Sequence, residues 1–173
     1  MTCYGFNSQW MFSYKGHPAP PPDGCALDFM AARGFNFVRL PMDYRFWTQG
    51  TNYFDPDEAV WRIIDTYIAA CRSRNIHVSL NLHRAPGYCI NQNQIEKHNL
   101  WVDEIAQEAF FFLWKSFAKR FRTLPATRSK SPFAGEIWKH SATIWWYDCS
   151  PEIENFISPN SSNWKTIKKD NTL

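Results

Sequence analysis

Apolar residues in the first two thirds of the chain alternate between two spacings, and the alternation predicts strand then helix three times over. Gly5 to Trp10 is a short apolar-polar run, read as a first strand. The proline-rich stretch from Gly16 to Asp23 blocks both helix and ladder and predicts a loop. Asp23 can cap the helix that follows, Leu27, Met30 and Ala31 fall on one face, and Gly34 supplies a left-handed stop. Asn36 to Leu40 is a compact strand that Pro41 is expected to end. The second helix has the clearest start signal: Asp55 as N-cap, Pro56 at the first helical position and Glu58 to complete a capping box. Val60, Ile63, Ile64, Tyr67, Ile68 and Cys71 then make a stripe at helical spacing. Ile76 to Leu82 reads as the third strand, followed by a long loop of polar and ring residues from His83 to about Leu100. Val102, Ile105, Ala106, Ala109, Phe110, Leu113, Trp114, Phe117, Ala118 and Phe121 give the third helix a wide apolar face.

Strands alternating with helices of this length imply parallel pairing through crossovers, and functional residues then gather at the carboxyl ends of the strands. The pattern is lost after Pro125. Ala126 to Pro132 is polar and broken, Ile137 to Tyr147 is apolar and Trp-rich without a clean period, and the chain from Asn155 onward is expected to fray. No internal repeat is present. Residues 1–125 therefore read as one α/β unit and residues 126–173 as a divergent tail.

Composition narrows the function classes. With 45% hydrophobic and 20% charged residues, the chain has a globular composition. A net charge of +3 and the lack of a Lys/Arg stripe argue against a nucleic-acid partner. The apolar run Ala109 to Trp114 is far short of the ~20 residues needed to cross a membrane. The N-terminus shows no basic region followed by an apolar one, which fits a cytoplasmic chain or a secreted chain whose leader is missing. Cys3, Cys25, Cys71, Cys89 and Cys149 are odd in number and irregularly spaced, so free and mostly buried thiols are expected. His77, His83 and His98 have no ligand-like spacing, and neither a metal nor another cofactor is expected. Aromatic residues reach 17%, with nine Trp. Most should fill the core; a few could line a sugar cleft, where C–H faces stack on rings. Asn160-Ser-Ser162 is a glycosylation sequon, meaningful only if the chain is secreted.

Several ordered motifs resemble the N-terminal part of the family 5 glycoside hydrolases, the endoglucanase-type retaining β-glycosidases. They are Gly5-Phe-Asn7 with Trp10-Met-Phe12; Ala26-Leu-Asp-Phe-Met30 with Gly34-Phe-Asn-Phe-Val-Arg-Leu-Pro41; Ile76-His-Val-Ser-Leu-Asn-Leu-His83 with Ala85-Pro-Gly87; and Leu100-Trp101 with Phe112-Leu-Trp114 and Phe117-Ala-Lys-Arg-Phe121. The resemblance implies a partial (β/α)₈ TIM barrel of about three βα units and, as partner, a β-linked oligo- or polysaccharide. In such enzymes one Glu protonates the leaving oxygen and a second attacks the anomeric carbon, the two about 5–5.5 Å apart. Arg39 matches the second-strand Arg that holds the nucleophile carboxylate ionised, a task suited to a permanent charge with forked donors. His83 matches a third-strand His that hydrogen-bonds sugar hydroxyls. Asn81 shares its strand face. Trp47, Tyr88 and Trp101 are candidate sugar platforms, with loop packing as the alternative. His77 reads as structural, and His98, Asn91 and Asn93 as loop groups, although His98 could reach substrate.

The chain then departs from the family. The acid should follow the third helix in an apolar-Asn-Glu-Pro signature, but the sequence reads Ala126-Thr-Arg-Ser-Lys-Ser-Pro-Phe-Ala-Gly-Glu-Ile-Trp138. Glu136 is the nearest carboxylate and a weak candidate for the acid. The nucleophile belongs to a seventh strand, and a full barrel typically needs about 250 residues. The expectation is a glycosidase lineage whose chain lacks both catalytic glutamates and is inactive alone. The alternatives are a truncated or frame-slipped fragment, or a non-catalytic carbohydrate-binding module. Open sheet edges would favour self-association.

Overall fold

A computed structural model describes residues 4–12, 17–89 and 96–121. Within them the strands β1 (Gly5–Asn7), β2 (Phe37–Asp43), β3 (His77–Ala85) and β4 (Tyr88–Cys89) form one sheet in the order β1-β2-β3-β4. The first three are parallel, and β4 folds back antiparallel to β3. Helices α1 (Gly24–Ala32), α2 (Glu58–Arg72) and α3 (Glu104–Phe121) follow β1, β2 and the β3-β4 hairpin. Glu136, Asn91, Asn93, Cys3, Cys149, the sequon and the expected tail lie outside the described residues.

α1 follows its sequence signals: Asp23 Oδ1 accepts from the Ala26 amide at 2.8 Å, and Gly34 has φ +78°. α2 starts later than expected. The Asp57 amide donates to the Trp47 carbonyl at 2.8 Å, so tertiary pairing takes up that donor and Asp57, rather than Asp55, becomes the N-cap, accepting from Ala59. The helix stops at Asn75, a non-glycine residue in the left-handed region (φ 58°), and the Ile76 amide returns to the Cys71 carbonyl. The buried stripe of α2 is Trp61, Ile64, Tyr67, Ile68 and Cys71. Ile63 is on the exposed side, because Trp61 turns inward to stack with Phe117 of α3. In α3 the wide face is real, but Val102 precedes the helix and both it and Ile105 are exposed.

β2 does not end at Pro41. Its pairing with β3 continues through Pro41↔Asn81 and Met42↔Leu82. The Arg39 carbonyl points toward β1, where it accepts from the Ser8 amide. Residue 41 shares that direction two positions on. By then the β1 chain has become a single 3-10 turn over Gln9–Met11, so the missing proline amide breaks no ladder bond.

The alternation along β2 and β3 buries Val38, Leu40, Met42 and Leu82 in one cluster with Leu27, Ile64, Phe110, Trp114 and Phe117 from the helices. Ion pairs at the surface brace this layer: Arg120 reaches Glu58 and Asp65, joining α3 to α2, and Arg74, in the turn just after α2, reaches Asp28 of α1. Only one of the three described cysteines is buried. Cys71 is enclosed, its thiol pushed up to about 11 by burial, whereas Cys25 is exposed and Cys89 intermediate; all three are free. Among the described cysteines the expected burial holds for Cys71 alone; Cys25 departs from it because it lies in the first, exposed turn of α1. No helix among the described residues is long and apolar enough to cross a membrane.

Candidate functional site

The opposite face of the sheet from the apolar cluster carries the polar residues. Asn7 pairs with Arg39 in register, Arg39 with Ser79, and Asn81 and His83 follow on β3. At the carboxyl ends these side chains converge. Arg39 Nη1 donates to Asn7 Oδ1 at 3.2 Å and Nη2 donates to Asn81 Oδ1 at 2.5 Å. Nη2 also lies 3.3 Å from His83 Nδ1. The guanidinium is thus held from β1 and from β3, which fixes its plane.

His83 sits at an irregularity. Met42 pairs with Leu82 and Asp43 with Arg84, so His83 is the extra residue on β3. Such bulges re-aim a side chain. A guanidinium can only donate, so its approach makes Nδ1 the acceptor and leaves the proton of the neutral ring on Nε2. The Phe12 ring meets the imidazole edge-to-face, centroids 4.4 Å apart. Burial, and then the Arg39 charge, holds the His83 pKa below its ordinary 6.5. Burial also lowers that of Arg39, which stays charged at neutral pH because its ordinary value is 12.5.

This gives a pH dependence with a definite sign. Between 6.5 and the lower folded value the unfolded chain holds the extra proton, so stability is present above 6.5 and is lost as pH falls through the folded value. Chemical denaturation across pH 4 to 8 (about that range) should show this loss, and His83→Gln should flatten it. A histidine variant with an unchanged pH curve would contradict the burial of a neutral ring.

The other expected site residues divide. Asn81 is fully buried against Arg39 and joins the cluster. Trp47 does not: it is 1% exposed, packed edge-to-face against Trp61 and Phe117. A ring enclosed on all sides offers no face to a sugar, so the packing alternative describes it. Tyr88 and Trp101 are partly exposed and meet each other edge-to-face, centroids 5.9 Å apart. His77 opens β3 instead of lying within it and stacks on Phe37, a structural position. His98 packs on Tyr53 and lies 3.9 Å from Asp103. No group of His, Cys, Asp and Glu suited to a metal occurs among the described residues.

Sequence reasoning passed over Asn7 and Phe12 as site members, although both stand in the first motif of the resemblance. It also missed a buried cluster beside the site. Arg84 pairs with Glu96, their side chains 5% and 9% exposed, and the Tyr44 hydroxyl donates to Glu96 at 2.7 Å. Burial, followed by the bond to Glu96, pushes the Tyr44 pKa far up. A single loop carboxylate has no sequence signature. The only signal was the Arg that directly follows His83. The expected long loop is also shorter: β3 continues to Ala85 and turns through Gly87 into β4.

The profile of the family described as Cellulase (glycosyl hydrolase family 5) matches residues 2–126. The chain is 30% identical over 95 residues to endoglucanase C of Acetivibrio thermocellus, which covers 55% of this chain and 27% of that protein. It is 27% identical over 88 residues to cellodextrinase A of Ruminococcus flavefaciens. The chain therefore spans about a quarter of the length of the curated relatives it matches. Among solved structures, a glycoside hydrolase is similar with a TM-score of 0.68 and 56% identity, over 72% of this chain and 38% of that one. Endoglucanase Cel5A of Thermotoga maritima has the same fold over 70% of this chain and 37% of its own, with a TM-score of 0.52 and 20% identity. The strands and helices described above are accordingly part of a (β/α)₈ barrel, and the chain belongs to the cellulase family, glycosyl hydrolase family 5.

Proposed function

We propose that this chain carries the substrate-positioning side of a cleft for β-linked glucan and that the 173-residue chain alone does not hydrolyse it. The observation that carries the reading is the convergence of Asn7, Arg39, Asn81 and His83 at the carboxyl ends of three parallel strands. Active sites of such barrels lie at that end. The endoglucanase and cellodextrinase names of similar proteins, and the cellobiose complex of the Thermotoga enzyme, support a β-linked oligosaccharide as ligand.

In this reading the Nε2–H of His83 donates to a sugar hydroxyl. Arg39, its plane set by Asn7 and Asn81, presents positive charge where a nucleophile carboxylate would stand. Retaining hydrolysis needs two carboxyl groups about 5–5.5 Å apart. The sequence holds no Asn-Glu-Pro, and Glu136 follows a glycine where that signature has an asparagine. Without the acid, leaving-group protonation worth about 10²–10⁴-fold is lost; without the nucleophile, the covalent path is lost as well.

The expected result is no release of reducing ends from cellulose, xylan or mixed-linkage glucan by the purified chain. Turnover that disappears in Glu136→Gln would overturn the proposal and make Glu136 the acid.

A further inference from the structure

Glu96 and Arg84 form a buried ion pair that the positioning of sugar by Arg39 and His83 does not use. Burying such a pair adds little net stability, since desolvation offsets the attraction; its best-attested use is to fix one arrangement over others. The partners show what would be fixed here. Tyr44 comes from the turn after β2, Arg84 from β3, and Glu96 from the segment leading to α3. Arg84 Nη1 also donates to Cys89 Sγ of β4 at 3.2 Å. One cluster therefore ties together four segments at the carboxyl edge of the sheet.

Two aromatic residues lie in the chain held by these ties. Tyr88 stands between Gly87 and Cys89, and Trp101 follows Leu100. The Leu100 amide donates to the Gly87 carbonyl at 2.9 Å, and the Trp101 amide donates to Asn99 Oδ1 at 2.9 Å. The approach at Gly87 is close enough that a Cβ there would stand 2.6 Å from the Leu100 nitrogen. The two rings meet at 78°, and both are partly exposed. Each ring packs partly on the core and is partly exposed, and an exposed part of an aromatic ring can stack on the C–H face of a pyranose.

We propose that Glu96, through Arg84 and Tyr44, is a positioning residue for the Tyr88–Trp101 pair, which it sets as a stacking subsite for sugar units beyond those at Arg39 and His83. The choice of sugar rests on the reading under Proposed function; the positioning of the rings does not.

Glu96→Gln keeps the shape and removes the charge, and Tyr44→Phe removes one hydrogen bond while leaving the ion pair. In each folded variant, NMR contacts between the Tyr88 and Trp101 rings report the positioning, and calorimetric titration with cellobiose and with cellohexaose reports the subsite. Glu96→Gln should weaken the ring contacts and lower cellohexaose affinity roughly tenfold, the loss of one stacking contact, with cellobiose affinity unchanged; Tyr44→Phe should fall between it and the parent chain. A merely structural role would lower both affinities together. Unchanged ring contacts in Glu96→Gln would overturn the positioning. A parent chain that binds neither sugar would overturn the subsite and the cleft reading, while the ring contacts would still decide the positioning.

Discussion

Replacing Trp47 by alanine should cost about 3–5 kcal/mol of stability, the range for deleting a large buried aromatic. Trp47 follows β2 yet lies under the helices, edge-to-face with Trp61 of α2 and Phe117 of α3. Its removal would leave a void where three elements meet, and Phe117 stacks in turn on Trp61 and Phe121, so the packing cannot close over it cheaply. A domain of this size is stable by only about 5–15 kcal/mol, so a large part of the total is at risk. Thermal unfolding should shift down on the order of 10 °C or more. The same substitution at a sugar platform would leave thermal stability unchanged and weaken ligand binding, and that outcome would return Trp47 to the cleft.

Gly5→Ala should be nearly as damaging, at the upper end of the ~1–3 kcal/mol typical of overpacking. A Cβ on Gly5 would stand 1.7 Å from the Phe37 carbonyl oxygen and 2.5 Å from its carbon. Both are backbone atoms of a strand paired on its other side with β3, so they cannot yield. The strand that must move is β1, which is short, exposed along its length and paired only with β2 among the described residues. Its displacement would release the Ser8-to-Arg39 and Phe37-to-Tyr4 backbone bonds and withdraw Asn7 from Arg39. Hydrogen exchange should show faster exchange at Ser8 and Phe37 in the variant, with the β3 amides protected as before. Unchanged protection at Ser8 would mean that β1 tolerates the methyl group and is less closely paired than described.

These two substitutions mark where the sequence was and was not legible. The periodic segments were clear because burial of one face writes the period directly: α1 with Asp23 and Gly34 at its ends, the body of α2, and α3. That Arg39 and His83 meet was legible because each stands near the end of an apolar strand and in a motif of the family. What failed depended on partners distant in the chain. Pro41 continues a strand because β1 has already turned away on its amide side, and Asp55 loses the cap because Trp47 takes up the Asp57 amide. Trp47 looked like a platform because it follows a strand end, and only the arrival of α3 determines that it is buried. Asn7 meets Arg39 through strand register, and Glu96 meets the arginine that directly follows His83, contacts that no local spacing announces.

The most direct test of the account is to titrate the isotopically labelled 173-residue chain with a cello-oligosaccharide while assaying reducing ends in the same sample. Saturable shifts at the His83 ring and the Arg39 guanidinium, the Arg39 shift being lost in His83→Ala, with no new reducing ends, are the predicted result. New reducing ends from the chain alone, or binding that leaves Arg39 and His83 unmoved, would contradict it.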